Sequence, residues 1–468
     1  MDCKELKNIW DERYAVVPQQ LEKLKTINSV ATAFNTNIDA IYKISGEQLK
    51  KIITENGFTL SDIENISLSG FREPRDVVLG IAKCFCRGIA EEWVTEDISV
   101  YNWLNDKIGY QRLQMGGQGG IIANALALLQ IGQVVAHTNS HPKLQAEQFL
   151  DLDNLLSFDE NGKLAKSVNI ARNNDIPLIH WIIEFDKNDT FTLEGKTFTC
   201  PKSNRFIATY DPLNMNLVMN EDFISYLSTP NNVEYLLLSG FNPLLESNNG
   251  IALVDNAAKI LEKWKTANKD MIVHLEIAST QDKAVRKAIA QKLAPLSHSV
   301  GLNERETIDL LEIMDKNDLA QVIEKDTSAC NLFDAVLYLI KELRCQRIQL
   351  HMFGLYLTIQ NKDFRYSAEQ NLKGMVTASV VSSSKAYNGE ITEYEHLTKA
   401  LGMSASDIGL NELKALADKL SKPELLEKGI CEVDGYTVSA IPTILVDKPK
   451  TLVGMGDTIS SVSLLAGL

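Results

Sequence analysis

A glycine-rich segment near the C-terminal end of the sequence, Gly454-Met-Gly-Asp457, carries the acidic residue best suited to chemistry. The small and apolar residues after it, 459–468, predict a helix that begins beside the acid. A helix start offers free backbone N–H groups and the positive end of the helix dipole, which together bind anions. Asp457 could therefore accept a proton from a hydroxyl group while the amides of Gly454 and Gly456 hold the charge of a transferring phosphoryl group. The alternative is that Asp457 only caps the helix, because so short a motif is weakly specific.

A second glycine cluster, Gly116-Gly117-Gln118-Gly119-Gly120, also precedes a predicted helix, over 121–130. Glycines let the backbone approach a ligand closely, and Gln118 offers a donor and an acceptor to a hydroxyl group. The cluster lacks the GK[ST] of a Walker A loop and the spacing of a dinucleotide-binding loop, so both of those enzyme classes lose support. Taken alone, the cluster is explained better as a flexible turn.

Two sets of polar residues lie within or directly after predicted strands. Asn37 and Asp39 come after a strand predicted at 29–35, and their alternation puts both side chains on one face. Glu276 lies inside the apolar run 271–277, while Asn303 and Glu306 follow the neighbouring strand. A carboxylate in a buried strand is costly unless it is paired or serves a cation, and Mg²⁺ that keeps several waters is the natural user. The alternative for Asn37 and Asp39 is that they form a turn. The alternative for Glu276, Asn303 and Glu306 is a buried salt bridge or a helix cap.

Three cationic or neutral donors lie near or within a segment of short alternating runs, 178–210. Arg172 and Arg205 suit bidentate phosphate binding, and His180 stands at the start of an apolar run. Each has a simpler explanation, because a lone arginine is usually solvated and a lone histidine in an apolar strand is usually a satisfied core residue.

These candidates must be positioned by an α/β architecture. From about residue 232 onward, apolar strand-like runs alternate with amphipathic helices, a rhythm typical of parallel strands joined by crossovers. Ligands of such sheets bind at the carboxyl ends of the strands. The front of the chain and the segment 178–210 break this rhythm, and we interpret them as a lid over the main sheet. The predicted division is a large domain of 1–38, 115–176 and 212–468 and a lid domain of 39–114 and 177–211.

Composition narrows the function. The chain has 468 residues, 45% of them hydrophobic, and a formal net charge of -14, which argues against a nucleic-acid partner. Its seven scattered cysteines form no metal-binding spacing and indicate reduced thiols in a cytoplasm. The charged N-terminus does not look like a signal peptide, and the most apolar helix candidate is too short to span a bilayer, so no membrane role is expected. Oligomeric state is left open between a monomer and a weak homo-oligomer.

The order of the candidate segments along the chain resembles that of the archaeal ADP-dependent phosphofructokinases and glucokinases, within the ribokinase-like superfamily. The resemblance covers about residues 30–468 and rests on these segments: Asn37-Ile-Asp39-Ala, Gly116-Gly-Gln118, His180-Trp-Ile-Ile-Glu184-Phe, Asn204-Arg205-Phe-Ile, His274-Leu-Glu276, Asn303-Glu-Arg-Glu306, His351-Met-Phe-Gly-Leu-Tyr356 and Gly454-Met-Gly-Asp457. It implies a ribokinase-like three-layer α/β/α domain with a mainly parallel central sheet and a smaller α+β lid domain.

The resemblance also implies roles for single residues. Asp457 would be the catalytic base, with Gly454 and Gly456 as the anion hole and Arg205 on phosphate. Glu276, Glu306 and Asn303 would hold Mg²⁺ through water. The residues implied for ADP are Tyr356 and Val446 at the adenine, the nearby His351, and Asn303. The residues implied for the sugar are Asn37, Asp39, Glu92, Gly116, Gly117, Gln118, Arg172 and His180.

The sugar is predicted from two opposing features. Glu92 matches a lid glutamate of the glucose-using members, whereas Arg172 with Arg205 matches the cationic pair expected for the phosphate of fructose 6-phosphate. Pro177 stands where glucokinases tend to have a polar contact, which weakens the glucose reading. We therefore expect fructose 6-phosphate as the main acceptor, with glucose as a second. The alternatives are an ADP-specific glucokinase only, an ATP-dependent kinase of the same superfamily, or a sensor without turnover.

Overall fold

A computed structural model of the chain describes residues 3–230 and 232–468 and contains two main β-sheets and a separate hairpin. The strands, in chain order, are β1 Ser29–Ala33, β2 Asn37–Lys43, β3 Glu91–Thr95, β4 Arg112–Gly116, β5 Gln133–Ala136, β6 Leu155–Phe158, β7 Leu164–Lys166, β8 Ile179–Phe185, β9 Thr190–Leu193, β10 Lys196–Thr199, β11 Asn204–Tyr210, β12 Tyr235–Leu238, β13 Ile272–Glu276, β14 Ser299–Leu302, β15 Arg347–Met352, β16 Leu355–Gln360, β17 Ile430–Val433 and β18 Tyr436–Pro442.

The α-helices connect and cover these strands. In chain order they are α1 Cys3–Tyr14, α2 Val17–Leu24, α3 Gly46–Glu55, α4 Leu60–Glu64, α5 Asp76–Arg87, α6 Ile98–Lys107, α7 Gln118–Leu128, α8 Lys143–Ala146, α9 Pro212–Met215, α10 Glu221–Leu227, α11 Gly250–Ala267, α12 Lys283–Lys292, α13 Glu304–Ile313, α14 Asn317–Lys325, α15 Ala329–Leu343, α16 Ala368–Asn388, α17 Asp407–Leu420, α18 Glu424–Lys428 and α19 Met455–Leu465.

The larger sheet has eleven strands in the order β17-β18-β16-β15-β14-β13-β12-β1-β5-β6-β7. Its central strands, from β15 across to β6, pair in parallel, and antiparallel strands extend both edges. Because β12 to β15 are neighbours in sequence order, right-handed crossovers put their connecting helices on one face of the sheet. Helices α7, α16 and α19 pack together and against strands of the same sheet as the second helical layer. The predicted three-layer α/β/α domain with a mainly parallel sheet is confirmed.

The smaller sheet has five strands in the order β3-β11-β8-β2-β4. Apolar and polar residues alternate along its strands. One face of the sheet is therefore apolar and packs into a separate core that includes Trp93, Trp181 and Phe206. The opposite face carries polar side chains, among them Asp39 and His180, which are paired across β2 and β8. This alternation is what a sheet covered on one side only requires. The smaller α+β domain is thereby confirmed as an architectural unit, whereas its exact limits stay a prediction.

One local prediction was wrong. The polar run from Asn35 to Asp39 was expected at the end of the first strand, but β1 ends at Ala33 and Asn37 opens β2 of the smaller sheet. The chain therefore crosses between the two sheets within this run. Asn37 and Asp39 do lie on the same face, as predicted, since the Asn37 amide donates to Asp39 Oδ1 across 3.1 Å.

Within 3–230 and 232–468, no helix has both the length and the apolar character needed to cross a membrane.

Candidate active site

Asp457 lies in the first turn of α19, and its carboxylate is buried, with 8% of the residue exposed. The residue that caps this helix is Gly454, whose left-handed φ of 61° is easily adopted by glycine. The Asp457 carboxylate accepts a hydrogen bond from the Gln118 side chain instead of from the helix backbone. The simpler explanation of Asp457 as a helix cap is therefore excluded, and the side chain is directed toward another loop.

Gln118 joins three loops. It is the first residue of α7, its Nε2 donates to Asp457 Oδ1 across 3.0 Å, and its Oε1 accepts from the backbone N–H of Gly240 at 3.2 Å. Gly117 and Gly240 both have positive φ and lie so close to Asn35 that a Cβ on either would collide with its backbone. The two glycine clusters of the sequence and the end of β12 thus meet at one point.

Burial raises the pKa of Asp457, while the hydrogen bond from Gln118 and the charge of Lys385 oppose that shift. Lys385 was not singled out from the sequence. Its Nζ donates to the carbonyl of Gly454 at 3.1 Å and to Thr458 Oγ1 at 3.2 Å, so it holds the turn that precedes α19. Burial lowers the pKa of Lys385 to about 8, against the raising effect of the Asp457 charge.

Two further buried carboxylates lie close enough to interact with Asp457. Burial raises the pKa of Glu276 well above its ordinary value, and the charges of Glu306 and Asp457 add to the effect. Burial raises the pKa of Glu306 to about 8, and the Asp457 charge acts in the same direction. All three acids resist ionisation because of burial, and the two glutamates also because of a neighbouring carboxylate charge, so together they make a place that favours a cation.

Asn303 and Glu306 also have a structural role. Glu306 Oε2 accepts from the Asn303 backbone N–H at 2.9 Å, and Asn303 Oδ1 accepts from the Glu306 N–H at 3.0 Å, which forms a capping box at the start of α13. Both residues therefore cap α13, which is the alternative role considered for them from the sequence. The capping bonds engage one oxygen of each side chain, so the pair keeps acceptor capacity for a second role.

The polar face of the smaller sheet gathers the residues predicted for the sugar. Asp39 pairs with Gln114 on β4 and with His180 on β8, and His180 pairs with Thr209 on β11. Burial raises the pKa of Asp39 to about 6, against the lowering effect of the His180 charge. The buried Asn37 Oδ1 has no hydrogen-bond partner among the described residues. An unpaired acceptor beside an acid and a histidine suits a ligand that carries several hydroxyl groups.

His180 is oriented by a contact with Asp211, a residue that the sequence analysis did not single out. His180 Nε2 lies 3.0 Å from Asp211 Oδ2, and Asn214 Nδ2 donates to the same oxygen at 2.7 Å. Burial opposes protonation of the imidazole, but the hydrogen bond and charge of Asp211 outweigh it and raise the pKa of His180 to about 9. At neutral pH the ring is therefore a charged donor.

The three remaining residues predicted for the sugar and its phosphate are placed differently. Glu92 is exposed on the polar face and accepts from Thr209 Oγ1 at 2.6 Å. Arg205 is exposed on the same face of β11, and its guanidinium has no ion pair within residues 3–230 and 232–468. Arg172 Nε lies 2.7 Å from Asp175 Oδ2, and its Nη2 donates to Thr138 O at 3.1 Å, so its charge is already compensated.

The residues implied for the nucleotide divide into two groups. His351 lies beside the turn that precedes Asp457, because a Cβ on Gly456 would sit 2.7 Å from its Nε2. A distance of 4.0 Å separates that nitrogen from Glu276 Oε1. Burial lowers the pKa of His351 to about 4. Tyr356 lies buried in β16, where its hydroxyl contacts Ser382 Oγ at 3.0 Å, and Val446 is half-buried in the loop after β18.

The sequence offered a signal for some of the missed residues. Lys385 is the only charge in a run of small and apolar residues, 374–386, and Gly240 directly follows a predicted strand. Asp211 and Thr209 carry no local signal, because their function depends on a strand pairing that brings them to His180.

Comparison with known proteins relates the chain to one family. The sequence model described as the ADP-specific Phosphofructokinase/Glucokinase conserved region matches residues 28–466. An ADP-specific phosphofructokinase of Methanosarcina acetivorans is 31% identical over 100% of this chain and 98% of its own length. An ADP-dependent glucose/glucosamine kinase of Pyrococcus abyssi is 32% identical, with 97% of each sequence covered. A solved ADP-dependent kinase in complex with fructose-6-phosphate and ADPbetaS has a TM-score of 0.81 at 28% identity and covers 100% of this chain and 98% of its own.

Proposed function

Because the chain belongs to the ADP-specific phosphofructokinase and glucokinase family, we propose that it transfers the β-phosphoryl group of ADP to fructose 6-phosphate, with Asp457 as the catalytic base. The chain is an ADP-dependent sugar kinase. The products are fructose 1,6-bisphosphate and AMP. The observation that carries the assignment of the base is the hydrogen bond between Gln118 and the buried Asp457 carboxylate.

The proposed base, the Asp457 carboxylate, must stay ionised although it is buried, because only the ionised form can accept a proton. The Gln118 hydrogen bond and the Lys385 charge both favour the ionised form of Asp457. The carboxylate takes the proton of the acceptor hydroxyl as the hydroxyl oxygen attacks the β-phosphorus of ADP. The bond from that phosphorus to the oxygen bridging the two phosphates breaks, and the bridging oxygen leaves as part of AMP. The side chain of Gln118 fixes the carboxylate in place, so no reorientation is needed during the transfer.

The proposed anion hole is the start of α19. The proposed donors are the backbone N–H groups of Gly454 and Gly456, and those of Met455 and Asp457 lie beside them. All four precede the first helical hydrogen bond, which Thr458 donates to Gly454 at 3.2 Å. These donors and the helix dipole stabilise the negative charge that develops on the phosphoryl oxygens. The left-handed Gly454 sets the direction of the turn, and Lys385 donates a hydrogen bond to the Gly454 carbonyl.

The residues proposed for Mg²⁺ are Glu276 and Glu306, together with Asn303. No group of three or more potential ligands in the described part of the chain is arranged to bind a metal ion directly. That fits a cation held through its own waters, as Mg²⁺ often is. The raised pKa values of both glutamates reflect uncompensated burial, which a divalent cation would relieve. When bound, Mg²⁺ supplies positive charge to the phosphates of the donor.

The proposed sugar site is the polar face of the smaller sheet, from Asn37 and Asp39 to His180. Gly116 leaves room for the Asp39 carboxylate at this site, because a Cβ there would lie 2.2 Å from Asp39 Oδ1. Arg205, exposed on the same face, is the proposed contact for the sugar phosphate or the donor phosphate. Closure of this lid domain over the larger sheet excludes water, which otherwise competes with the sugar for the phosphoryl group.

Glucose is the second proposed acceptor, and Glu92 favours it. Glu92 lies on the polar face, where its carboxylate accepts a hydrogen bond from Thr209, the residue paired with His180 across β11 and β8. A carboxylate in that place can accept from a sugar hydroxyl but would repel a sugar phosphate. An enzyme with both Glu92 and Arg205 therefore has a contact for each acceptor.

The experiment that tests the function is a coupled assay that crosses ADP and ATP with fructose 6-phosphate and glucose in the presence of Mg²⁺. We expect AMP formation with ADP and both sugars, and higher kcat/KM with fructose 6-phosphate. Preference for ATP would support an ordinary kinase of the superfamily instead, and substrate binding without turnover would support a sensor. Size-exclusion chromatography in the same buffer tests the expected monomer or weak homo-oligomer.

A further inference from the structure

A cavity of about 330 Å³ lies beside the candidate active site, where the lid strand β4, helix α7 and helix α16 meet. Its walls include Leu113 and Met115 of β4, Ile121 and Ala125 of α7, and Lys385 of α16. None of the residues proposed for catalysis, sugar, nucleotide or Mg²⁺ lines it. A cavity of this size is typical of sites for small organic molecules.

The walls are mostly apolar, and several of their neutral polar groups already have hydrogen-bond partners. The Asn124 amide donates to Gln148 O at 3.0 Å and accepts from the Leu150 N–H at 3.1 Å. The two carboxylates at the cavity have cationic neighbours, since Glu390 pairs with Arg112 at 3.1 Å and Glu147 lies 3.8 Å from Lys143 Nζ. An apolar ligand body therefore fits these walls without leaving a buried polar group unpaired.

Lys385 is the exception among the wall residues. An ammonium group has three donors, and the described partners of Lys385 Nζ are two, Gly454 O and Thr458 Oγ1. Neither partner is a carboxylate, so the buried cation has no direct ion pair in the described residues and interacts with the charges of Asp457 and Glu390 only from a greater distance. Burial accordingly lowers the pKa of Lys385 to about 8.

We propose that this cavity binds a small organic monoanion, with an apolar body against α7 and β4 and a carboxylate or sulfonate group on Lys385. The anion supplies the missing partner for the ammonium group, and the apolar body is removed from water. Because Lys385 also holds the carbonyl of Gly454, the occupied cavity changes the turn that precedes Asp457. The binding does not depend on the proposed function, whereas its effect on turnover rests on it.

The test uses two matched fluorescent probes and the full chain. Anilinonaphthalene sulfonate has an apolar ring system with one negative charge, and phenylnaphthylamine has the same rings without the sulfonate. We expect one sulfonate probe to bind per chain, about tenfold or more tighter than the neutral probe. The binding should persist with saturating ADP and Mg²⁺. Equal affinities for the two probes, or complete displacement by ADP, would overturn the proposal.

A cavity-filling variant locates the bound probe. Ala125→Trp places an indole inside the cavity and should weaken binding about tenfold or more, and Lys385→Met should weaken the sulfonate probe but not the neutral one. Ala252→Trp makes the same change on an exposed position of α11 and should bind like the wild type. Circular dichroism checks folding, and Ala125→Leu replaces the larger substitution if that one does not fold. Wild-type affinity in a folded Ala125 variant would also overturn the proposal.

Discussion

The side chain of Gln118 donates a hydrogen bond to the carboxylate of Asp457 across 3.0 Å, although the two residues are 339 positions apart in the chain. Each begins or nearly begins a helix that follows a glycine turn. The contact therefore brings two helix starts, and the anion-binding capacity of both, to the same point. The following predictions test what this arrangement does.

The first prediction concerns the base. Asp457→Asn keeps the shape and the contact with Gln118 but cannot take a proton, so kcat should fall roughly a thousandfold. Binding of ADP, measured by calorimetry, should change little because the variant keeps the backbone donors of α19. Asp447→Asn, on the exposed loop before α19, is the matched control and should retain wild-type turnover. Turnover within a few-fold of the wild type in Asp457→Asn would remove Asp457 from the mechanism.

The second prediction concerns pH. The Gln118 hydrogen bond lowers the pKa of Asp457 against the effect of burial. Gln118→Leu removes that bond, so the pKa rises and the base is protonated up to a higher pH. The acidic limb of the kcat profile should therefore move to higher pH in the variant, while the protein stays folded. An unmoved acidic limb would show that the bond does not control the ionisation of the base.

The third prediction concerns the roles of Arg205 and Arg172 toward the two sugars. Arg205→Ala should reduce kcat/KM for fructose 6-phosphate about tenfold or more, and less for glucose, because a charge-assisted bond to phosphate is lost. Its free energy of unfolding should not change, since the side chain is exposed and unpaired in the described structure. Lys187→Ala, another exposed cation of the lid domain, is the control.

Arg172→Ala has a further consequence. The substitution leaves Asp175 without its partner at 2.7 Å, so this variant should also lose stability in denaturant unfolding. Equal losses toward both sugars in the two arginine variants would indicate a general role on the donor phosphate.

The fourth prediction concerns Mg²⁺. Glu276→Gln or Glu306→Gln removes one of the carboxylates that repel each other. If these residues hold the ion through its waters, the Mg²⁺ concentration for half-maximal turnover should rise about tenfold or more. Glu262→Gln on the exposed side of α11 should leave that concentration unchanged. An unchanged Mg²⁺ requirement in both site variants would exclude them as ligands.

The fifth prediction concerns stability and pH at His180. Its pKa of about 9 lies above the ordinary value of 6.5, so the protonated ring stabilises the fold. This contribution is complete below the ordinary value and is lost as the pH rises through about 9. It amounts to roughly 3 kcal/mol at most. Denaturant unfolding at about pH 6 and about pH 10 should show the loss in the wild type but not in His180→Gln. A control variant, His396→Gln, should retain it.

Much of the architecture was predictable from local patterns. Alternating apolar runs and amphipathic helices from residue 232 onward predicted the parallel strands β12 to β14, and the structure has them within a few residues of the expected bounds. The reason is that burial on both faces demands continuous apolar runs, which a sequence displays directly. The alternating segment 178–210 likewise predicted β8 and β11, which are two of the five strands of the smaller sheet.

Local sequence patterns were enough to identify the residue types that can do the chemistry, the order in which they occur and the two kinds of layer that hold them. Which of these residues meet depends on the folded arrangement of the chain. Asp211 reaches His180, and Lys385 reaches Gly454, through pairings of segments far apart in the chain, and Arg172 is found compensated by Asp175. Local periodicity fixes which face a side chain occupies, but the contact between two faces depends on strand order and helix packing, which no short segment encodes.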